Sequence, residues 1–143
     1  MYRTIVVAAD DSSTARQAVE TAADLAQVLG ASLHIVTAYD PGSVRTVDLP
    51  DELRYTVDAN PADALLRELS TIADRRSLQP VVHPATGTPA DVIVAIAKRE
   101  EADLIVVGNK GMKGTKRVLG SVPNTIAHHA PCSVLIVDTA TGA

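Results

Sequence analysis

The sequence predicts an α/β fold, a doubly wound parallel sheet with helices on both faces. Short apolar runs rich in β-branched residues alternate with segments whose apolar residues recur at helical spacing. Strands that alternate with helices in this way are joined by right-handed crossovers. Apolar residues make up 46% of the 143 residues, with no Phe or Trp. A core of Ala, Val, Leu and Ile suits helices packed closely on a sheet, and the length suits one domain.

The elements follow from these patterns in chain order. Five apolar runs predict strands, at Thr4 to Ala9, Ser32 to Tyr39, from Val81-Val82, Leu104 to Val107 and Val134 to Val137. Capping residues predict the starts of four helices, at Ser12 to Thr14, Asn60-Pro61, Thr88-Pro89 and Ser121. Gly30 is expected to end the first helix, and Thr88 with Asp91 is expected to form a capping box. The segment from Asp40 to Ala59 lacks periodicity, and either a mobile flap or a short helix fits it.

A glycine-rich segment from Gly108 to Ser121 follows the fourth strand and opens the last helix. Its glycines allow close approach of the backbone, and unpaired N–H groups begin the helix. It has no acidic residue and carries four basic ones: Lys110, Lys113, Lys116 and Arg117. Because the whole chain has a net charge of −4, this local positive charge suits a small anionic ligand better than a nucleic-acid backbone. The segment is therefore a candidate phosphate cradle.

A cleft for such a ligand is expected where two strand ends meet. Ligands of open α/β sheets bind at the carboxyl ends of strands, where the strand order reverses. The first strand runs into Asp10 and the fourth into Gly108 through small residues, which leaves a slot if these strands are neighbours. Asp10 fits either a ribose-binding or metal-binding position or a helix cap. The chain has neither a Gly-x-Gly-x-x-Gly nor a Walker-type motif.

Other classes of function receive no support from the residues. The chain has three Tyr and no Phe or Trp. It is therefore poorly equipped to stack nucleic-acid bases. Cys132 is expected to be a small buried residue, and its being the lone cysteine fits a reducing cytosol. The N-terminal apolar run is too short for a membrane span, so no membrane partner and a cytoplasmic location are expected. His128-His129 should occupy a last helical turn without binding metal, and His34 and His83, which show no partner spacing, are expected to be structural histidines with satisfied hydrogen bonds.

Three stretches of the sequence carry a family resemblance. They are Val106 to Gly111, Leu119 to Pro123, and Ala130 to Val137, with Asp10 and the Gly87-Thr88-Pro89 turn in the same order. The chain resembles the universal stress protein family, in its ATP-binding branch. The resemblance implies a single domain over residues 1–143, with the adenine nucleotide alpha hydrolase-like fold and a five-stranded parallel sheet in the order 3-2-1-4-5.

The resemblance also implies a nucleotide site. The loop and its Ser would hold phosphates and ribose, Asp10 the sugar, and the backbone of Ala38 the adenine. The implied binding residues are Ala8, Ala9, Asp10, Ala38, Val107, Gly108, Gly111, Gly120, Ser121 and Val122. The ligand would be ATP or a related adenine nucleotide such as cyclic AMP, with Mg²⁺ bound through its phosphates. Eight residues separate Gly111 from Gly120, one fewer than in the family pattern.

The leading hypothesis is a regulatory adenine-nucleotide-binding stress protein. No nucleophile lies beside a base in the sequence, so no catalytic residue is assigned. Two alternatives stay open: an ATPase or phosphotransferase that uses Asp10 or Asp11 with Mg²⁺, and a dimeric interaction protein without nucleotide. In the implied strand order Val134 to Val137 is an apolar edge strand, and such an edge invites pairing. We therefore expect a homodimer through this strand.

Overall fold

The computed structural model describes residues 2–9, 13–39, 61–109, 112–113, 116–117 and 121–138. The expectations for Asp40 to Ala59 fall outside them. The strands are β1 (Thr4–Ala8), β2 (Ser32–Tyr39), β3 (Val81–Thr86), β4 (Leu104–Gly108), β5 (Met112–Lys113), β6 (Lys116–Arg117) and β7 (Ser133–Val137). The helices are α1 (Ser13–Leu29), α2 (Pro61–Asp74), α3 (Pro89–Arg99) and α4 (Ser121–His129).

Five strands form an all-parallel sheet in the order β3-β2-β1-β4-β7. If the two short strands β5 and β6 are left out of the count, this is the expected order 3-2-1-4-5. The chain builds β2 and β3 on one side of β1, then returns to build β4 and β7 on the other side. The order therefore reverses between β1 and β4, which are neighbours as the cleft hypothesis requires.

Each face of the sheet is covered by two helices. Buried side chains of α1 and α2 pack with Ile5, Val7, Leu33 and Ile35 on one face, and those of α3 and α4 pack with Val6, Val36, Ile105 and Val107 on the other. The face of α1 toward the sheet is formed mainly by small residues: Ala15, Ala18, Val19, Ala22, Ala23 and Ala26. Small side chains let this helix approach the strands closely, so the core is filled without Phe or Trp.

At the amino edge of the sheet, a carboxylate joins β1 to β4. Asp103 Oδ2 accepts hydrogen bonds from the backbone N–H groups of Arg3 at 2.8 Å and Thr4 at 3.0 Å. The N–H of Asp103 in turn donates to the carbonyl of Thr4 at 2.9 Å. These bonds favour the charged carboxylate and lower the pKa of Asp103. The two central strands are thus held together firmly at the edge opposite the cleft.

Three helices end in Schellman motifs with a residue in the left-handed region. Gly30, with φ of +66°, follows α1 as predicted, and the N–H of Ala31 donates to the carbonyl of Ala26. Ser77 and Glu101 occupy the same position after α2 and α3, with φ of 59° and 52°. The sequence does not mark these two positions, because neither is a glycine.

The structure bears out one local prediction, contradicts another and adds a feature. β3 begins at Val81 as predicted and continues through Pro84 to Thr86; the proline is tolerated because β3 lies at the edge of the sheet. Thr88 precedes α3 in extended conformation but makes no side-chain cap bond, so the predicted capping box with Asp91 does not form. The segment after β4 contains the antiparallel pair β5 and β6, two short strands that the sequence analysis does not predict.

Candidate functional site

The two central strands separate at the carboxyl edge of the sheet. Pairing between β1 and β4 ends at Val7 and Val106. Each strand continues further with its other neighbour: β1 pairs with β2 up to Ala8 and Val36, and β4 pairs with β7 up to Gly108 and Val137. The two central strands therefore diverge at the point where the strand order reverses. This is the point at which the sequence analysis predicts a cleft.

Backbone hydrogen bonds hold the two sides of the cleft apart. The N–H of Ala9 donates to the carbonyl of Val36 at 2.9 Å, and the N–H of Asn109 donates to the carbonyl of Val137 at 3.0 Å. Both bonds run to the outer strands, away from the gap between β1 and β4. The separation of β1 from β4 at this point is consequently set by backbone hydrogen bonds of the sheet.

The buried side chain of Asn109 anchors the start of the glycine-rich segment. Asn109 is 3% exposed, and its Nδ2 donates to Asp138 Oδ1 at 2.9 Å. This contact ties the end of β4 to the residue that follows β7. The sequence analysis did not identify either residue, since their partnership depends on β4 and β7 being adjacent.

Six of the predicted binding residues lie in the described parts of the strands and in α4. Ala8, Val107 and Val122 pack in the core on the α3 and α4 face, and Ala9 lies on the α1 and α2 face. Ala38 is half-buried near the end of β2, and Gly108 is the half-buried last residue of β4. These residues are all small or apolar.

Four other predicted residues are described in part or not at all. Ser121 begins α4, so its backbone stands at a helix N-terminus, while its side chain lies outside the description. Asp10, Gly111 and Gly120 lie outside the described residues altogether. In the sequence between Gly111 and Gly120, the strands β5 and β6 pair Lys113 with Lys116 and Met112 with Arg117.

Comparison with known proteins adds to this geometry. A model of the universal stress protein family matches residues 1–138. A universal stress protein of Mycobacterium tuberculosis is 36% identical over 143 residues, covering 96% of this chain and 97% of the relative. The chain belongs to the universal stress protein family. The resemblance seen in the glycine loop and in the last strand is thereby confirmed.

Solved structures place this universal stress protein among the same relatives. A universal stress protein crystallised in complex with cAMP is 37% identical, with a TM-score of 0.75, over 95% of this chain and 97% of that one. The universal stress protein UspA from Lactobacillus plantarum is 30% identical, with a TM-score of 0.71, over 95% and 97%. The fold of this universal stress protein is thus the fold of its relatives, throughout the sheet that forms the cleft.

Two histidines of this universal stress protein form a pair between β2 and β3, as expected of structural histidines with satisfied hydrogen bonds. His34 Nδ1 lies 2.9 Å from His83 Nε2, and Arg99 Nη2 lies 3.3 Å from His83 Nδ1. Since a guanidinium only donates, His83 accepts at Nδ1, carries its proton on Nε2 and donates to His34. Their pairing depends on the register of β2 with β3, which sequence spacing does not reveal.

This histidine pair predicts a loss of stability in acid. Burial is the main cause that lowers the pKa of both rings below 6.5; the charge of Arg99 also lowers them, while Glu100 opposes the shift. Between the lowered pKa values and 6.5, the unfolded chain binds more protons, so the free energy of unfolding should fall as pH falls. Urea denaturation from pH 7.5 to pH 5 measures this.

The double variant His34→Gln/His83→Gln should show a smaller change in urea midpoint over that range. The matched control is His128→Gln, at an exposed position in the last turn of α4, which should keep the wild-type profile. An unchanged profile in the double variant would contradict the assignment.

Other predicted residues have plain structural settings. His128 and His129 occupy the last turn of α4, as predicted. Cys132 is half-buried rather than buried, and its partial burial is the main cause that raises the pKa of the thiol. Within the described ranges, no three His, Cys, Asp or Glu side chains group as metal ligands. None of the helices described there combines the length and apolarity needed to cross a membrane.

Proposed function

We propose that this universal stress protein is a regulatory module that binds an adenine nucleotide in the cleft between β1 and β4. The observation that carries the proposal is the early end of the β1–β4 pairing at Val7 and Val106, while both strands continue with their outer neighbours. A gap of this kind at a reversal of strand order is where α/β sheets hold ligands. We also propose that residues 1–143 form one ligand-binding domain.

The residues around the gap suit the two ends of a nucleotide. Small or apolar side chains at Ala8, Ala38 and Val107 favour the adenosine end, which presents apolar surface with few polar atoms. The phosphates would lie toward Gly108 and the N-terminus of α4 at Ser121, where backbone N–H groups favour anions. The four basic residues of the glycine-rich segment would supply positive charge for these phosphates. Asp10, Gly111 and Gly120 complete the proposed site.

The choice of ligand draws on the relatives. A 37% identical universal stress protein was crystallised with cAMP, which supports an adenine nucleotide for this chain. ATP is the proposed ligand because its three phosphates can interact with more of the positive charge of the basic segment than the single phosphate of cyclic AMP can. Mg²⁺ would enter on the phosphates of ATP and reduce their charge, and no protein ligand for the metal is assigned. The lone Cys132 suits a reducing compartment, and the proposed location is the cytoplasm.

Nucleotide titration tests this proposal. Isothermal calorimetry and thermal shift should detect binding of ATP or cyclic AMP, with ADP and AMP as ligands for comparison and GTP as the control base. A ligand at 100 times its Kd stabilises the fold by about 2.7 kcal/mol. Ala8→Leu should abolish the shift by filling the cleft, while Ala127→Leu, at an exposed position of α4, should preserve it. No shift with any adenine nucleotide at millimolar concentration would refute the proposal.

Binding rather than turnover is the proposed activity. A phosphate-release assay with ATP and Mg²⁺ measures the alternative, an ATPase that uses Asp10. If the wild type releases phosphate and Asp10→Ala does not, the protein is an enzyme rather than a binding module.

The proposed assembly is a homodimer through β7. This strand ends the sheet, and its Leu135 is 36% exposed. An apolar edge with free backbone groups pairs readily with a second copy of the same strand. Sedimentation velocity measures the mass directly, and a monomer at micromolar concentration would exclude the dimer.

A further inference from the structure

A surface groove of about 320 Å³ runs between α3 and α4. We call it the α3–α4 groove, and its lining residues are Ala90, Asp91, Val94, Ala95 and Lys98 of α3 with Thr125 and His129 of α4. Its floor is apolar, since Ala90 and Val94 are buried. Ala95 is exposed in the middle of the stripe that α3 contributes. None of these residues belongs to the proposed nucleotide site or to β7.

The charges of the α3–α4 groove lie at its two ends. Asp91 is in the first turn of α3 and Lys98 in the last, and seven residues of helix separate them by about 10 Å on one stripe. Among the described residues, neither side chain takes part in an ion pair. His129 lies in the last turn of α4, at the same end as Lys98, because both helices run in the same direction. The groove is therefore acidic at one end, basic at the other and apolar between.

This arrangement is complementary to a second copy of itself. The midpoint between Asp91 and Lys98 falls between Val94 and Ala95, and a two-fold axis through that point turns the stripe end for end. Asp91 of each copy then faces Lys98 of the other, as an isologous interface requires. Ala95 lies beside the axis in both copies, and its small side chain lets the two helices approach closely. A partner of one charge sign, such as a nucleic acid, would be attracted at one end and repelled at the other.

We infer that the α3–α4 groove is a contact surface between two copies of this chain, in which the α3 helices pack antiparallel and Asp91 of each copy pairs with Lys98 of the other. The inference goes beyond the proposed function and does not depend on a nucleotide. It is also separate from the proposed pairing of β7, because α3 contacts β1 and β2 while α4 contacts β7. A groove about 10 Å long is too small for a stable dimer. The contact is therefore weak by itself, and together with β7 pairing it joins dimers into larger assemblies.

Disulfide trapping tests this contact, because the two-fold axis brings equivalent residues together. Ala95→Cys in a Cys132→Ser background should form an intermolecular disulfide under mild oxidation, since a disulfide needs Cα atoms within about 7 Å. Val28→Cys in the same background is the matched control, because Val28 is 82% exposed on α1, over the other face of the sheet. Its cross-linked fraction should be about tenfold lower, since no contact raises the local concentration there.

Charge reversal tests the pairing of the two ends. In the Ala95→Cys protein, Asp91→Lys and Lys98→Asp should each lower the cross-linked fraction about tenfold, because each places like charges opposite one another. The double reversal Asp91→Lys/Lys98→Asp should restore cross-linking, since both pairs are again of opposite sign. Glu20→Lys, at an exposed position of α1, should leave the fraction unchanged. Circular dichroism verifies that each variant is folded.

The outcomes separate this inference from both earlier proposals. Cross-linking of Ala95→Cys that is no greater than that of Val28→Cys would overturn it. So would a double reversal that cross-links as poorly as the single reversals. Neither result bears on the nucleotide titrations that test the proposed function. A dimer formed through β7 alone leaves the two α3 helices apart, so it gives mass in sedimentation without the disulfide.

Discussion

Replacing Ile105 with alanine is expected to lower the free energy of unfolding by about 2–5 kcal/mol. Ile105 is 0% exposed in the middle of β4 and packs with Val6, Ile93 and Ile126 on the α3 and α4 face. Truncation removes buried methylene groups and leaves a cavity that a close-packed interior refills only in part. Urea denaturation followed by circular dichroism at neutral pH measures the loss.

The control for Ile105→Ala is Val28→Ala. Val28 is 82% exposed on α1, so its truncation should change stability by less than about 0.5 kcal/mol. If the two variants lose the same amount, then the packing between the sheet and its outer helices does not carry the stability of the fold as described.

Asn109→Asp is expected to cost roughly 3 kcal/mol at neutral pH, because it places a buried carboxylate beside another carboxylate. Asn109 Nδ2 donates to Asp138 Oδ1 in the native protein, and aspartate replaces that donor with a second negative charge. Protonation of either carboxyl group restores a donor, so the difference from the wild type should shrink in acid. Urea denaturation of both proteins at pH 7.5 and pH 5 gives the two differences.

Asn124→Asp provides the same chemical change at an exposed position of α4. We expect it to differ from the wild type by less than about 0.5 kcal/mol at both pH values. Equal stability of Asn109→Asp and Asn124→Asp would mean that the contact with Asp138 does not anchor the glycine-rich segment.

The sequence predicts elements well where a local signal exists. The apolar run Ser32 to Tyr39 is a strand with those bounds, and Gly30 ends α1 in the left-handed region. The prediction is wrong where the signal is only statistical. Thr88 is a residue type that often caps helices, but its side chain makes no capping hydrogen bond here. Ser77 and Glu101 adopt a conformation that their residue types disfavour, because the strand that follows each helix fixes the direction of the chain.

The candidate site shows the same division. Gly108 and the charges of the loop are visible in the sequence, as is the alternation that puts strand ends at one edge. Residues whose contacts depend on a neighbour in another strand are not visible in the sequence. Asn109 requires Asp138 across β4 and β7. This contact depends on register, which spacing along the chain does not encode.

The amino-acid sequence by itself determined that this universal stress protein is an α/β chain with a glycine-rich basic segment after its fourth strand. Apolar periodicity, caps and charge are local properties, so they can be read along the chain. Only the tertiary structure decided that β1 and β4 diverge after Val7 and Val106, and that α3 and α4 leave a groove between them. Both arise from contacts between residues distant in sequence, whose geometry is set when the sheet assembles.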